Sequence, residues 1–453
     1  MSMKKIAEFI TNTKYTDIDP EALDIAKMCI LDGFGVALAG TRESTGRIIT
    51  EFVKENGGNP QSGVIGCGFK TSPINAALAN GTLAHALDFD DHAITWTGHP
   101  TIVLLPSVIA LAERDGLSGK QVLQAYSVGW EVGSKICSVL ANSLFEKGWH
   151  PTATAGTLAV TVACANLIGL NPEAVIRAIG IGASEASGLR YNFGTDTKPL
   201  HAGLAARNGI TATLLAQKGF TAGKTVLEGS LGFSSVFAGK ELNIDSIAGS
   251  LGKPYDIGSS YSIKPFPACG LTHRCIDGML NLVKTQPFKP EEVEHIECHT
   301  PPMVREILVY SNPRSGLEGK FSLEYCMAAA IIDGEVSLRQ FTDEKVLAAA
   351  SQRLISKVEL KFLDVPKGHS LLNIPQAVKV KLKDGRELFK EVQWPKGYSY
   401  NPMSWDEVAE KFRACAEGVL AKDRIEQCVE VSAKMETVDD VSSLMAILSK
   451  INS

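Results

Sequence analysis

The side chains best suited to acid–base chemistry are concentrated in two short segments of the chain. Residues 264–274 contain the cations Lys264 and Arg274, two prolines, a glycine and His273. Residues 88–99 contain three carboxylates and two imidazoles. Imidazoles transfer protons near neutral pH, and cations bind anionic substrate groups. Two separated polar segments in an otherwise apolar chain therefore predict one site that is assembled from distant parts of the sequence.

The carboxylates Asp88, Asp90 and Asp91 follow an Ala-rich helix, where the helix dipole disfavours negative charge. A functional role would explain why they are placed there. General acid–base or orienting roles are favoured over a magnesium site, because the sequence does not identify the remaining metal ligands. The alternative is a solvated loop that contains the three carboxylates by chance.

Three histidines, His85, His92 and His99, recur every seven residues. On one continuous helix they would share a face, but residues 90–92 and 98–100 interrupt the helix. The spacing therefore does not predict a zinc site, and we expect no metal. Among these residues, His99 is the better catalytic candidate.

Two further candidates lie next to apolar helices. His150 precedes an uncharged helix, where it can face the buried end of that helix or serve as a core or capping residue. Lys198 lies at the entrance of another apolar helix, where the dipole and partial burial would both lower its pKa. Such a lysine suits an anion-binding residue or a base, and the alternative is a surface lysine.

In residues 264–274, His273 is a candidate base, while Lys264 and Arg274 are candidate carboxylate-binding cations. The alternative for this segment is a rigid interdomain linker. Tyr325 is a phenol on an apolar helix, and a lone phenol of this kind is more often a core residue.

The recognisable cofactor and nucleophile motifs are missing from the sequence. It has no glycine-rich phosphate loop, no G-x-S-x-G motif and no paired CxxC. Histidine, lysine, aspartate and tyrosine remain as the candidate reactive groups. This set fits abstraction of a proton next to a carboxylate without a cofactor.

The elements that position these residues predict a mainly α protein. Successive helical patterns run from Pro20 to about Phe220, with a capping box at residues 118–121, a cap at residues 171–172 and stop signals at Gly40 and Gly116. A large helical domain is expected over residues 1–264. Helices at residues 398–453, which begin with a capping box at residues 404–407, are expected to return to it.

A smaller α+β domain is expected over residues 265–397. Alternating patterns predict strands at 293–299 and 357–362, and a hairpin over 378–392 with the two-residue turn Asp384-Gly385. Helices are predicted at residues 323–333, with Gly334 as the stop signal, and at residues 343–350.

Composition restricts the class of protein. The 453 residues are 45% hydrophobic and 21% charged, with a net charge of −5, which argues against a nucleic-acid partner. Ten cysteines without a CxxC pair, together with no signal-peptide core, favour a reduced, cytoplasmic protein. The uncharged residues 153–170 predict a buried helix rather than a membrane span.

Taken together, these motifs resemble those of the MmgE/PrpD family. The resemblance follows the order of the chain and covers nearly all of it. The motifs are residues 84–91 with His99-Pro100, residues 148–152 with Gly156, residues 198–203, residues 264–267 with His273, residues 321–325 and residues 401–404.

The resemblance implies a large helical domain with a smaller α+β lid domain, a homodimer and a metal-free site between the domains. It implies six catalytic residues, which are Asp88, His99, His150, Lys198, His273 and Tyr325. The expected substrate-binding residues are Lys264, Arg274 and His201.

The family includes 2-methylcitrate dehydratase, cis-aconitate decarboxylase and iminodisuccinate epimerase. A cofactor-independent lyase for a small di- or tricarboxylate is therefore expected, with dehydration of 2-methylcitrate as the leading reaction. The alternatives are epimerisation of an amino- or imino-dicarboxylate, decarboxylation of cis-aconitate, and a carboxylate-binding protein without turnover.

Overall fold

The computed structural model describes residues 2–365 and 374–449, and it divides the chain into two compact units. One unit contains Met1–Ile263 and Met403–Ser453, and the other contains Lys264–Pro402. The protein is mainly α, with small sheets, as the sequence predicts.

The first unit is built from helices that follow one another closely along the chain. They are α1 (Ser2–Asn12), α2 (Pro20–Gly40), α3 (Ser44–Asn56), α4 (Pro73–His85), α5 (Thr101–Asp115), α6 (Gly119–Glu146), α7 (Pro151–Leu167), α8 (Pro172–Ser184), α9 (Thr197–Gln217), α10 (Ile244–Ser250) and α11 (Ile257–Ser260). Two short antiparallel pairs accompany them, namely β1 (Ser62–Gly63) with β2 (Lys70–Thr71) and β3 (His92–Ala93) with β4 (Tyr261–Ser262).

Local signals account for the ends of these helices. Ser118 and Gln121 form the predicted capping box of α6, and Asn171 caps α8 ahead of Pro172. Gly116 ends α5 in the left-handed conformation. Helix α7 is buried along its whole length, which confirms the interpretation of residues 153–170 as a buried helix.

The second unit combines helices with a four-stranded sheet. Its elements are α12 (His273–Thr285), β5 (Val293–Thr300), α13 (Met303–Ile307), α14 (Gly316–Gly319), α15 (Leu323–Asp333), α16 (Asp343–Leu347), α17 (Ala349–Ile355), β6 (Val358–Phe362), β7 (Gln376–Leu382) and β8 (Glu387–Val392). The strand order is β6-β5-β7-β8, with β5 and β6 parallel and the other pairs antiparallel. Apolar residues of β5 and β7 pack with those of α12 and α15 to form the core of this unit.

Two local predictions for this unit are wrong in detail. The hairpin loop is longer than a two-residue turn, because the amide of Leu382 donates to Arg386 O and that of Gly385 to Leu382 O, with Gly385 at φ 91°. The helix predicted at residues 343–350 is two helices, since Ala348 adopts an extended backbone between α16 and α17.

The chain then returns to the first unit through α18 (Trp405–Ala416), α19 (Lys422–Ala433) and α20 (Ser442–Ser449). Ser404 and Glu407 form the predicted capping box of α18, which packs against α2. The predicted extension of these helices to Ser453 lies outside the described residues. Among the helices that the structure describes, none combines the length and the apolar character that a membrane span requires.

Candidate active site

The loop that leaves α4 carries the aspartates of the first unit. Asp88 is buried and has a φ of 51°, a left-handed conformation that residues other than glycine adopt infrequently. The ammonium of Lys411 donates to the carbonyl oxygen of Phe89 at 2.7 Å and pairs with the Asp32 carboxylate at 2.6 Å. The C-terminal helix α18 therefore holds this loop against α2, and the unusual backbone of Asp88 is kept in place by contacts outside the loop.

Asp90 lies between two imidazoles. Its Oδ1 is 2.8 Å from Nδ1 of His85, and its Oδ2 is 2.7 Å from Nδ1 of His99. Burial alone would raise the pKa of Asp90, but the two imidazoles outweigh burial and hold it well below its usual range. Burial lowers the pKa of His85 to about 4, although the Asp90 carboxylate opposes this shift. The group thus contains an ionised carboxylate next to a neutral His85 at pH 7.

Asp88 pairs with the lysine at the start of α9. Its Oδ2 is 3.0 Å from Nζ of Lys198, and its Oδ1 is 3.9 Å from Nε2 of His99. Lys198 is buried, and its ammonium lies 5.3 Å from the centre of the Phe193 ring. Lys198 is therefore a buried lysine, as its predicted role requires, rather than a surface one.

His150 and His201 form a second imidazole pair. Their Nδ1 atoms are 3.2 Å apart, so one ring donates to the other through Nδ1. Burial is the main cause that lowers the pKa of both, with the Lys198 ammonium adding to it: His150 lies well below its usual value and His201 at about 4. Both rings are therefore neutral at pH 7 and can accept a proton.

The first unit thus brings together five of the nine predicted site residues. The ring of His85 lies between the two imidazole groups. It is 4.6 Å from the ring of His99, which shares Asp90 with it, and 6.0 Å from the ring of His150. The five residues are Asp88, His99, His150, Lys198 and His201.

Sequence reasoning assigned no role to His85, and it treated Asp90 only as one of three candidate acid–base or orienting carboxylates. The seven-residue spacing of His85, His92 and His99 was a usable signal for the first of these. The helix does break after His85, as predicted, but the loop folds back and leaves the rings of His92 and His99 6.5 Å apart. A broken helix can therefore still bring residues of this spacing together.

The other four predicted residues belong to the second unit. His273 begins α12, where its Nε2 is 3.1 Å from the carbonyl oxygen of Ala268 and its ring packs edge-on against Phe266. Because a carbonyl oxygen only accepts, the proton of a neutral His273 ring lies on Nε2. Lys264, the first residue of this unit, is also buried.

Arg274 is a buried cation held by its own unit. Its Nε donates to the carbonyl oxygen of Gln393 at 3.0 Å, and the guanidinium lies 5.7 Å from the Trp394 ring and 5.3 Å from the Tyr398 ring. These contacts orient the guanidinium within the unit. Substrate binding by Arg274 and Lys264 stays a prediction.

Tyr325 lies in the core of the second unit on α15. Its hydroxyl donates to the carbonyl oxygen of Gln340, and its ring packs edge-on against Phe341. Burial raises the pKa of the phenol, which keeps it protonated and able to donate. These contacts agree with a core role as well as with a donor role, and the catalytic role stays a prediction.

One group of side chains in the first unit has ligand atoms close enough to surround a metal ion. His85, Asp88, Asp90 and His99 each offer one such atom, and these atoms lie within 4.8 Å of one another. Two imidazoles and two carboxylates form a donor set that suits zinc. The carboxylates are already engaged, however, with the ammonium of Lys198 on Asp88 and both Nδ1 atoms on Asp90.

Comparisons with known proteins identify relatives over the whole chain. The model of the MmgE/PrpD N-terminal domain matches residues 4–245, and that of the MmgE/PrpD C-terminal domain matches residues 266–436. The cis-aconitate decarboxylase of Mus musculus is 30% identical over 470 residues, which cover 99% of this chain and 94% of that protein.

Two further relatives differ in their reactions. The cis-aconitate decarboxylase of Aspergillus terreus is 28% identical over 471 residues, covering 98% of this chain and 95% of that protein. The probable 2-methylcitrate dehydratase of Saccharomyces cerevisiae is 23% identical over 484 residues, covering 95% of this chain and 89% of that protein. The relatives are thus named for two lyase reactions.

Proposed function

Because the chain belongs to the MmgE/PrpD family, we propose that it is a lyase that acts on a small tricarboxylate and transfers a proton at a carbon beside a carboxylate. One observation carries this proposal, namely the neutral imidazoles of His150 and His201 beside the buried pair of Lys198 and Asp88. A neutral imidazole accepts a proton, and a buried ammonium binds a carboxylate more strongly than one in water does.

In this proposal, His150 exchanges the proton and His201 fixes the orientation of its ring. Lys198 binds a substrate carboxylate while Asp88 holds the ammonium in place. His273 is the second candidate for the proton transfer, and Lys264 and Arg274 are the candidate cations of the other unit. Tyr325 is the candidate donor to a developing negative charge.

Decarboxylation of cis-aconitate is the reaction to test first. Relatives named for it are 27 to 30% identical over nearly the whole chain, whereas the yeast relative named for dehydration is 23% identical. In decarboxylation, the carbon–carbon bond to one carboxylate breaks and carbon dioxide leaves. The two electrons of that bond stay on the carbon skeleton, which then takes up a proton. The bound carboxylates would raise the pKa of the nearby imidazoles, so that an imidazolium can supply this proton.

Dehydration of 2-methylcitrate is the second candidate, favoured by the yeast relative. Here the neutral imidazole removes a proton from the carbon beside a carboxylate, and hydroxide leaves from the neighbouring carbon. The same residues serve both reactions, because each needs one mobile proton and fixed carboxylates. The reactions differ in the group that leaves, and hence in how the substrate lies in the site.

Proton NMR in deuterated water tests the proposal directly. The purified protein is incubated with cis-aconitate, 2-methylcitrate, citrate or racemic iminodisuccinate, each alone. A dicarboxylate product with loss of carbon dioxide supports decarboxylation, and an alkene formed with loss of water supports dehydration. Exchange with inversion but without loss of mass would contradict a lyase and indicate an epimerase. Stabilisation by a tricarboxylate without any turnover would indicate a binding protein.

A further inference from the structure

The Asp90 carboxylate determines which nitrogen of two imidazoles carries a proton. Oδ1 is 2.8 Å from Nδ1 of His85, and Oδ2 is 2.7 Å from Nδ1 of His99. An ionised carboxylate only accepts hydrogen bonds. Nδ1 of His85 therefore donates its hydrogen to Asp90. Nδ1 of His99 faces the other carboxylate oxygen at 2.7 Å and must also carry a hydrogen. In a neutral ring the lone pair then lies on Nε2.

For His99, a second contact leads to the same tautomer. Its Nδ1 is also 2.9 Å from the backbone carbonyl oxygen of Asp91, which is another obligatory acceptor. The opposite nitrogen, Nε2, is the one that lies 3.9 Å from Oδ1 of Asp88. The lone pair of a neutral His99 is therefore directed towards the pair formed by Asp88 and Lys198.

For His85, burial supports this assignment. The side chain is completely buried, and its Nε2 has no hydrogen-bond partner within the part of the chain that the structure describes. A buried N–H without a partner costs about 1–3 kcal/mol. A lone pair on Nε2 and a hydrogen on Nδ1 avoid leaving a buried N–H without a partner.

We propose that Asp90 is a positioning residue that holds both His85 and His99 as Nδ1–H tautomers, so that His99 presents Nε2 to the bound carboxylate substrate. The proposal rests on the proposed function, because a presented lone pair matters for turnover only in a catalytic site. When Nε2 of His99 accepts a proton from the substrate, the positive ring is stabilised by Asp90, which itself stays ionised. The bonding electron pair stays on the substrate, and no other side chain changes its charge.

This assigns the orienting role to Asp90, whereas the sequence left such a role open for Asp88, Asp90 and Asp91. The two residues differ in what they contact. Asp88 holds an ammonium at 3.0 Å, and the nearer nitrogen of His99 is 3.9 Å from it, too far for a hydrogen bond. Asp90 contacts both imidazoles within hydrogen-bond distance.

The first test measures the tautomers without using activity. Two-bond proton–nitrogen NMR correlations of the full-length protein with 15N-labelled histidine distinguish Nδ1–H from Nε2–H rings. The signals are assigned with the His85→Gln and His99→Gln variants. In the wild-type protein, the neutral form of each ring should be the Nδ1–H tautomer. An Nε2–H form at either ring would overturn the proposal, whatever reaction the protein catalyses.

The Asp90→Asn variant tests the cause. A carboxamide has one accepting oxygen and one donating nitrogen, so it can accept from only one Nδ1. Because the carbonyl oxygen of Asp91 keeps the hydrogen on Nδ1 of His99, the amide oxygen should face His99 and the amide nitrogen should face His85. His85 should therefore switch to the Nε2–H form. The Asp91→Asn variant is the matched control, because it changes the neighbouring buried carboxyl, whose side chain accepts from Thr101 at 2.7 Å, and should leave both tautomers unchanged. Unchanged tautomers in Asp90→Asn would overturn the proposal.

Kinetics then connect the tautomers with turnover. For the substrate identified by the proton NMR experiment above, Asp90→Asn should lower kcat about 100-fold or more, with a smaller change in KM. A normal kcat with a switched tautomer would overturn the positioning role.

Failure of the proposed function has a different signature. The wild-type protein could show the Nδ1–H form at both rings and still convert none of the acids. This result would contradict the proposed lyase function and leave the tautomer assignment intact.

Discussion

Helices α4 and α9 touch through the backbones of Gly81 and Gly203. A Cβ added at Gly81 would lie 2.9 Å from Cα of Gly203, which is closer than real side chains approach. Helix α4 ends at His85, and α9 begins next to Lys198. The close approach of two glycines therefore sets the distance between the helices that carry the two sides of the candidate site.

We expect Gly203→Ala to destabilise the protein by about 1–3 kcal/mol, as overpacking typically does. A methyl group there would overlap the carbonyl oxygen of Leu78 and the hydroxyl of Thr82, and α9 would have to shift. Activity should fall with stability, because Lys198 moves with its helix. Urea unfolding and kcat/KM measure the two effects.

Gly249→Ala is the control for this substitution, because Gly249 is an exposed helical glycine without atoms near the added Cβ. Its free energy of unfolding should stay the same or rise by up to about 1 kcal/mol, because alanine favours the helix over glycine. Equal effects of the two substitutions would contradict the close-packing argument.

Replacement of Lys198 by Met should lower kcat/KM for the true substrate about 100-fold or more. The substitution removes a buried ammonium that would bind a substrate carboxylate and that pairs with Asp88 at 3.0 Å. Steady-state kinetics measure the loss. Lys218→Met, at the exposed end of the same helix, should keep wild-type kinetics. Wild-type kinetics in Lys198→Met would exclude this lysine from the site.

His150→Gln should reduce kcat about 100-fold or more, because the amide cannot exchange a proton with a carbon acid. The proton–deuterium exchange seen by NMR should fall in parallel. His295→Gln, on the exposed face of β5, serves as the control with a histidine outside the site. If exchange survives in His150→Gln and disappears in His273→Gln, the base is the histidine of the second unit.

Stability should fall as the pH falls from about 6.5 towards 4. Folding lowers the pKa of His85 and of His201 from 6.5 to about 4, so in this range the unfolded chain binds protons that the folded protein does not. The stability that these rings contribute is present above pH 6.5 and is lost towards the folded pKa.

Thermal unfolding at several pH values measures this dependence. His201→Gln should reduce the slope of stability against pH between 4 and 6.5, because one of the groups with a lowered pKa is gone. A slope unchanged by His201→Gln would contradict a neutral His201.

Removal of divalent metals by a chelator should leave both turnover and the melting temperature unchanged. The carboxylate oxygens of Asp88 and Asp90 already contact the Lys198 ammonium and the Nδ1 atoms of two imidazoles. A metal ion would have to displace these groups. Activity after dialysis against EDTA, with and without added zinc, measures this. A loss that zinc restores would show that His85, Asp88, Asp90 and His99 bind a metal.

Local chemistry made much of the fold predictable. The capping boxes at Ser118 and Ser404 form as expected because their hydrogen bonds involve residues three positions apart. The hairpin after β7 was predicted with too short a turn. Hairpin loops of different lengths can have a glycine at positive φ, so Gly385 by itself did not distinguish between them. The break at Ala348 was missed because its flanking residues all favour helix.

The sequence by itself determined the helical class, the strands of the second unit and the residue types of the site, because these depend on periodicity, caps and short motifs. Only the tertiary structure decided that Asp90, and not Asp88, lies between two imidazoles. The direction of each carboxylate depends on the left-handed backbone of Asp88 and on the distant partners Lys198 and Lys411. No local pattern encodes contacts between residues so far apart in the chain.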